Sequence, residues 1–276
     1  MMNFAEKLEN LSKNLETATN GFIPREGISD ERREQQCDKH GTFTQFIRTY
    51  SMPMLGVKQI KTDCPDCIKA EIESLKLKEQ QAKASVISVL KTTAGIPKRF
   101  SNVSFINYEE TTANTRAKRL CKAYADKWLD RKEKGGGLIL CGKPGTGKNH
   151  LACAIANQVI EQHQHEVLIT TALRIARKIK STWTKDAAEN EWEAMETYIE
   201  PDLLVVDEIG VQFGSEAEKI ILFEIINTRY EEMKPTILIS NLSQDELGQY
   251  VGERIIDRMK EGGGAMVVFD WESYRK

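Results

Sequence analysis

The run Gly142-Lys143-Pro144-Gly145-Thr146-Gly147-Lys148-Asn149 has the residue types and spacing to hold the phosphates of ATP. Glycines let successive backbone N–H groups turn onto the anion, the following helix adds a favourable dipole, and the Lys148 ammonium reaches the β- and γ-phosphates. Asn149 stands where Ser or Thr usually offers Mg²⁺ a hydroxyl, and His150 continues the loop. The Asn149 amide oxygen can ligate the ion or hold one of its waters, but it donates no O–H bond. A second run, Leu203-Leu204-Val205-Val206-Asp207-Glu208, carries four apolar residues and then two carboxylates. At the C-terminal edge of a sheet, Asp207 would hold the Mg²⁺ shell and Glu208 would polarise the attacking water. Asn241 ends another apolar run, where a polar side chain could reach between the γ-phosphate and that water. Asn is also a helix cap, a role for which Ser243 is better placed.

A different chemistry is written in Cys37-Asp38-Lys39-His40 and Cys64-Pro65-Asp66-Cys67. Two-residue spacing lets one tight turn present both ligands to a single ion, so the pairs suit tetrahedral Zn²⁺. Four ligands leave no open position, which makes the site structural. Of the six cysteines, the remaining Cys121, Cys141 and Cys153 read as small buried residues.

The elements that must position these groups follow from periodicity. Phe4, Leu8, Leu11 and Leu15 recur at helical spacing, giving a short amphipathic helix whose apolar face packs on its own domain or docks a partner. Residues 20–36, with Gly21, Pro24 and Gly27 before a charged run, read as a loop or linker. A Lys, Glu, Gln and Ala-rich helix is expected from Ile68 to about Leu90, ended by Gly95-Ile96-Pro97. The domain boundary falls there, dividing an N-terminal metal-binding domain (1–90) from a nucleotide-binding domain (91–276). Beyond it, strands are expected at 137–141, 167–170, 203–207, 236–240 and 265–269. Helices are expected at 149–161, 172–183, 216–233 and 244–259. Continuous apolar strands alternating with helices predict an α/β fold, a parallel five-stranded sheet covered by helices on both faces. The 39 basic and 41 acidic residues nearly cancel, so any nucleic-acid contact needs a local cluster. With no run of about 18 uncharged residues and charges close to the start, a soluble, cytoplasmic protein with no membrane partner is expected.

The segments 142–152, 202–212, 252–259 (Gly-Glu-Arg-Ile-Ile-Asp-Arg-Met) and 270–275 (Asp-Trp-Glu-Ser-Tyr-Arg) resemble the DnaC family of bacterial and phage helicase loaders. Asn after the P-loop Lys is itself a mark of that family. The resemblance, over residues 95–276, implies an AAA+ ATPase that shares ATP between neighbouring subunits and therefore self-associates. It implies that Arg258 is the arginine finger and Arg275 the sensor 2 arginine. It further implies single-stranded DNA along the helix bearing Arg174, Arg177, Lys178 and Lys180, with Trp183 beyond. Cations beside an aromatic suit phosphate tracking and base stacking, although an ordinary solvated face looks similar. The Cys/His segment resembles the N-terminal zinc domain of DnaI-type loaders, which implies contact with a DnaB-type replicative helicase. An IstB-like transposition helper acting on double-stranded DNA shares the same core and is the alternative.

Overall fold

Asn3 caps the first helix, α1 (Phe4–Asn20), by accepting from the Ala5 N–H while Glu6 accepts from the Asn3 N–H. The two contacts satisfy donors that a helix start otherwise leaves unpaired. Leu8, Leu11 and Leu15 on its apolar face are half-buried, and Phe4 is 39 % exposed. This computed structural model describes residues 3–26, 28–52, 56–210 and 216–274; Arg275 lies outside them. The chain divides into two units, Met1–Ser85 and Val86–Lys276.

In the first unit, β1 (Ser29–Cys37), β2 (Gly41–Met52) and β3 (Gly56–Lys61) form an antiparallel sheet in that order. The expected loop up to residue 36 is therefore corrected: most of its charged run is a strand. Almost every residue of β1 is exposed, so no apolar alternation betrays it, and its pairing with β2 decides its form. Asp30 lies opposite Arg48, whose buried guanidinium donates to both Asp30 oxygens at 2.6 and 2.5 Å and to the Ile23 carbonyl at 2.6 Å. Asp30 is held below the usual carboxylate range by that hydrogen bonding.

Helix α2 (Pro65–Thr93) runs from the first unit into the second. After a 3₁₀ turn at Lys98–Phe100 come α3 (Thr115–Asp126), α4 (Trp128–Lys134), β4 (Leu138–Gly142), α5 (Lys148–His163) and β5 (Val167–Thr171). Then follow α6 (Ala172–Ser181), α7 (Glu191–Ile199), β6 (Leu203–Ile209), α8 (Glu216–Glu231) and β7 (Thr236–Ser240). The chain closes with α9 (Gln244–Val251), α10 (Glu253–Lys260) and β8 (Ala265–Phe269). The sheet is parallel, in the order β5-β6-β7-β4-β8. Leu138, Leu140, Leu203, Val205, Ile237, Ile239 and Phe269 face one core with α3 and α5. Ile139, Cys141, Leu204, Val206 and Leu238 face the other with α6, α7, α8 and α10. The inner strands β6, β7 and β4 thus bury both of their faces, which is why they read as unbroken apolar runs, whereas the edge strand β8 leaves Val268 exposed.

The sequence pattern misplaces some helices. The helix expected over 244–259 is two, broken at Gly252, where φ is +87°, a left-handed conformation open to glycine. Helices α3, α4 and α7 went unforeseen; α3 buries mainly small or single aromatic groups (Ala117, Cys121, Tyr124, Ala125), a weak apolar signal. Cys121, Cys141 and Cys153 are buried, as expected of small core residues.

Candidate nucleotide site and Cys/His cluster

The P-loop leaves β4 at Gly142 and enters α5 at Lys148, so the phosphate-binding turn sits at the C-terminal edge of the sheet. Gly142 has φ +117°, and a Cβ there would run into the Phe269 carbonyl oxygen; Gly147, at φ +96°, is similarly restricted. No other residue allows both the backbone conformation and the close approach. Lys148 is buried, its Nζ donating to the carbonyls of Gly142 and Lys143, both at 2.7 Å. The Thr146 hydroxyl also donates to the Lys143 carbonyl. Pro144 is exposed on the outside of the turn.

Fold topology brings the second motif to the first. Asn149 Nδ2 donates to Asp207 Oδ2 at 2.5 Å, so the first turn of α5 and the end of β6 meet across β7. Asp207 Oδ1 accepts from the Glu208 N–H. Between Val206 and Ile209 the pairing of β6 with β7 slips by one residue, a β-bulge, and Glu208 there has φ +60°. The bulge turns the exposed Glu208 out of the sheet's regular alternation, and a non-glycine residue held in this conformation stores local strain. Because β7 separates β4 from β6, Asn241, directly after β7, lies between the two motifs; its side chain is exposed. Ser243 caps α9 in a reciprocal pair with Glu246.

His150 stacks edge-on against Tyr108, ring centroids 5.1 Å apart, and burial lowers its pKa. His150 Nε2 and the Tyr108 hydroxyl are buried without a hydrogen-bond partner among the described residues. Arg258 sits elsewhere. Its guanidinium lies 4.7 Å above the Tyr230 ring, with Nη1 buried and unpaired. The next residue, Met259, packs on Gly137, just before β4 begins. Arg258 is therefore at the edge of the sheet opposite its own P-loop, separated by β4, roughly 15 Å at about 3.3 Å per residue. Of the basic residues on α6, Lys178 pairs with Glu189 and Lys180 with Glu218. Arg174 and Arg177 are exposed and make no ion pair among the described residues, and Arg174 lines a cavity shared with Asn149 and Asp207.

Residues missed by sequence reasoning surround the loop. Trp271 Nε1 donates to the Thr146 carbonyl at 3.2 Å, and the Tyr274 N–H to the Gly145 carbonyl at 3.0 Å. The Tyr274 hydroxyl accepts from the amide of the fully buried Asn114. Both lie in the 270–275 segment that carries the family resemblance, directly after the last strand, but the sequence assigned neither of them a role.

In the first unit, Cys37 and His40 flank the β1–β2 turn, and Cys64 and Cys67 open α2. Their four ligand atoms lie within 4.8 Å of one another. Cys37 Sγ is 3.5 Å from Cys67 Sγ, and His40 Nδ1 is 3.7, 3.7 and 3.3 Å from the sulfurs of Cys37, Cys64 and Cys67. A tetrahedron with Zn–S of about 2.3 Å and Zn–N of about 2.0 Å has edges of roughly 3.8 and 3.5 Å, so the donor set fits Zn²⁺. Backbone N–H groups of Lys39 and His40 hold the Cys37 thiol down at about 6, and Cys67, beside it, is raised to about 11.

A parallel sheet with a P-loop on one strand and paired carboxylates two strands away is the arrangement of a P-loop ATP-binding domain. Over residues 71–276 the chain matches the family described as IstB-like ATP binding protein. The protein belongs to this IstB/DnaC-like family of AAA+ proteins. It is 34 % identical over 198 residues to the replicative helicase loader DnaC of Escherichia coli (strain K12), covering 71 % of this chain and 79 % of that one. To DnaC of Buchnera aphidicola subsp. Schizaphis graminum it is 32 % identical over 235 residues, 79 % of this chain and 94 % of the relative. The crystal structure of a DnaC helicase loader superposes with TM-score 0.55 at 22 % identity, covering 63 % of this chain and 99 % of that one, a likeness of fold. Among the described residues, no helix is long and apolar enough to cross a membrane.

Proposed function

We propose that this protein loads a DnaB-type replicative helicase onto single-stranded DNA, using ATP to control its own assembly. The observation that carries the reading is the position of Arg258, exposed in part and stacked on Tyr230 at the sheet edge opposite the P-loop. An arginine there serves the nucleotide of a neighbouring copy and not its own. In this reading Gly142 to His150 embrace the phosphates, with Lys148 on the β- and γ-phosphates. Asn149 and Asp207 hold Mg²⁺, Glu208 polarises water, Asn241 orients it, and Arg275, outside the described residues, takes the sensor 2 role toward the γ-phosphate that the resemblance implies. Arg174 and Arg177 carry most of the contact with DNA phosphates, since Lys178 and Lys180 are already paired with Glu189 and Glu218. A DnaI-like N-terminal domain (1–90), held by Zn²⁺ on Cys37, His40, Cys64 and Cys67, grips the helicase, and residues 91–276 form the ATPase.

Affinity capture with a purified DnaB-type helicase, with and without ATP, tests this reading. Retention that needs the N-terminal domain and ATP turnover stimulated by single-stranded DNA are expected. The family description favours a second reading, a transposition helper of the IstB kind. Failure to retain the helicase, with turnover stimulated by double-stranded DNA, decides for the second reading.

A further inference from the structure

We propose that Asp270–Tyr274, the segment leaving β8, is a strap that pre-forms the phosphate nest, with Trp271 as its positioning residue. The inference rests on reading Gly142 to Asn149 as the ATP site. In a trans peptide the C=O and the N–H point in opposite directions. Tyr274 N–H holds the Gly145 carbonyl at 3.0 Å and Trp271 Nε1–H holds the Thr146 carbonyl at 3.2 Å. The two peptide units so fixed carry the N–H groups of Thr146 and Gly147, which therefore aim away from the strap, toward the concave side of the loop. Those are groups a P-loop turns onto phosphate oxygens.

Both ends of the strap are anchored. At the near end the Trp271 ring lies on Phe269, centroids 4.8 Å apart, and the Phe269 carbonyl accepts from the Lys143 N–H at 2.8 Å. At the far end the Tyr274 hydroxyl meets Asn114, whose own amide is fixed by the Glu109 carbonyl at 2.9 Å and the Thr111 N–H at 2.8 Å. A glycine-rich turn left to itself samples many conformations and loses that freedom when it closes on an anion. The strap removes this cost beforehand, so its effect falls on affinity for the diphosphate unit and not on the nucleoside.

Trp271→Phe keeps an aromatic ring on Phe269 and deletes the N–H donor. Isothermal titration with ATP, ADP and inorganic pyrophosphate is expected to show the same weakening for all three, about two- to tenfold, the worth of one neutral hydrogen bond. Trp271→benzothienylalanine, which replaces the indole N–H by sulfur at nearly constant shape, should give the same factor with an unchanged melting temperature in the absence of nucleotide. This second variant separates loss of the donor from loss of packing. Wild-type affinity for ATP and pyrophosphate in that variant overturns the proposal. So does weakening confined to ATP and ADP with pyrophosphate unaffected, which would put Trp271 on the nucleoside. If Lys148→Ala abolishes binding while both Trp271 variants bind as wild type, the strap alone fails. A wild-type protein that binds no ATP overturns the site reading and the strap together.

Discussion

Removing the metal is expected to unfold the N-terminal unit and leave the ATP-binding unit intact. Among the described residues up to 85, the buried apolar side chains are Ala18, Ile47, Cys64 and Ile68. Full burial of a large aliphatic side chain contributes about 1.5–3 kcal/mol, and Ala and Cys less, so this core supplies under about 8 kcal/mol. A structural Zn²⁺ on such ligands contributes about 10–16 kcal/mol at neutral pH, and so outweighs the apolar core. Strands β1 and β3 add almost no burial of their own, since all or nearly all of their residues are exposed. The assay is amide hydrogen exchange before and after chelation under reducing conditions, with metal content by native mass spectrometry. One Zn²⁺ per chain is expected. After chelation, protection should vanish over residues 29–61 and persist in β4, β6 and β7. Full protection of β1–β3 in the metal-free protein would refute the reasoning.

Three further outcomes are expected. Arg258→Ala should leave ATP affinity within twofold of wild type but reduce turnover of the assembled protein by about 10³, the lower end for arginine fingers; unchanged turnover at saturating protein would exclude the role. Nucleotide-free stability should decline as pH falls below about 6.5, because His150 and His165 are held below the usual histidine range, in both cases first by burial. Their stabilising contribution is complete above the unfolded value and is lost as the unfolded chain takes up protons that the folded one refuses. His165 Nδ1 accepts from Trp128 Nε1 at 2.7 Å, so His165→Gln should flatten the slope, read by thermal melts from about pH 7.5 down to about pH 5.5. Arg229→Met should destabilise the second unit by about 3 kcal/mol or more in urea unfolding. The buried Arg229 guanidinium donates to the carbonyls of Tyr198, Ile199, Pro201 and Pro235 and to the Thr236 hydroxyl, and the change removes all five bonds; a midpoint within experimental scatter of wild type would contradict this.

The second unit was largely legible because its chemistry is local. A glycine-rich turn between a strand and a helix encodes its own conformation, and the five strands stand out as apolar runs, ending within two residues of their expected positions. The first unit was legible in its ligands and in its helices α1 and α2, but not in its sheet. Strands β1 and β3 are exposed over almost their whole length, so they carry no buried alternation to read, and pairing with β2 makes β1 a strand.

By itself the sequence determined the phosphate loop, the carboxylates of Asp207 and Glu208, the Cys/His donor set and the parallel α/β sheet. All of these depend on residue type at short spacing, where backbone geometry leaves little choice. Only the tertiary structure decided that Asn149 meets Asp207, that Arg258 faces away from its own P-loop, and that Trp271 and Tyr274 return to hold the loop. Contacts of this kind join residues far apart in the chain, 129 positions in the case of Lys143 and Glu272. Strand order creates them, and strand order is set by how two cores pack against one sheet, a property that no short segment of the chain contains.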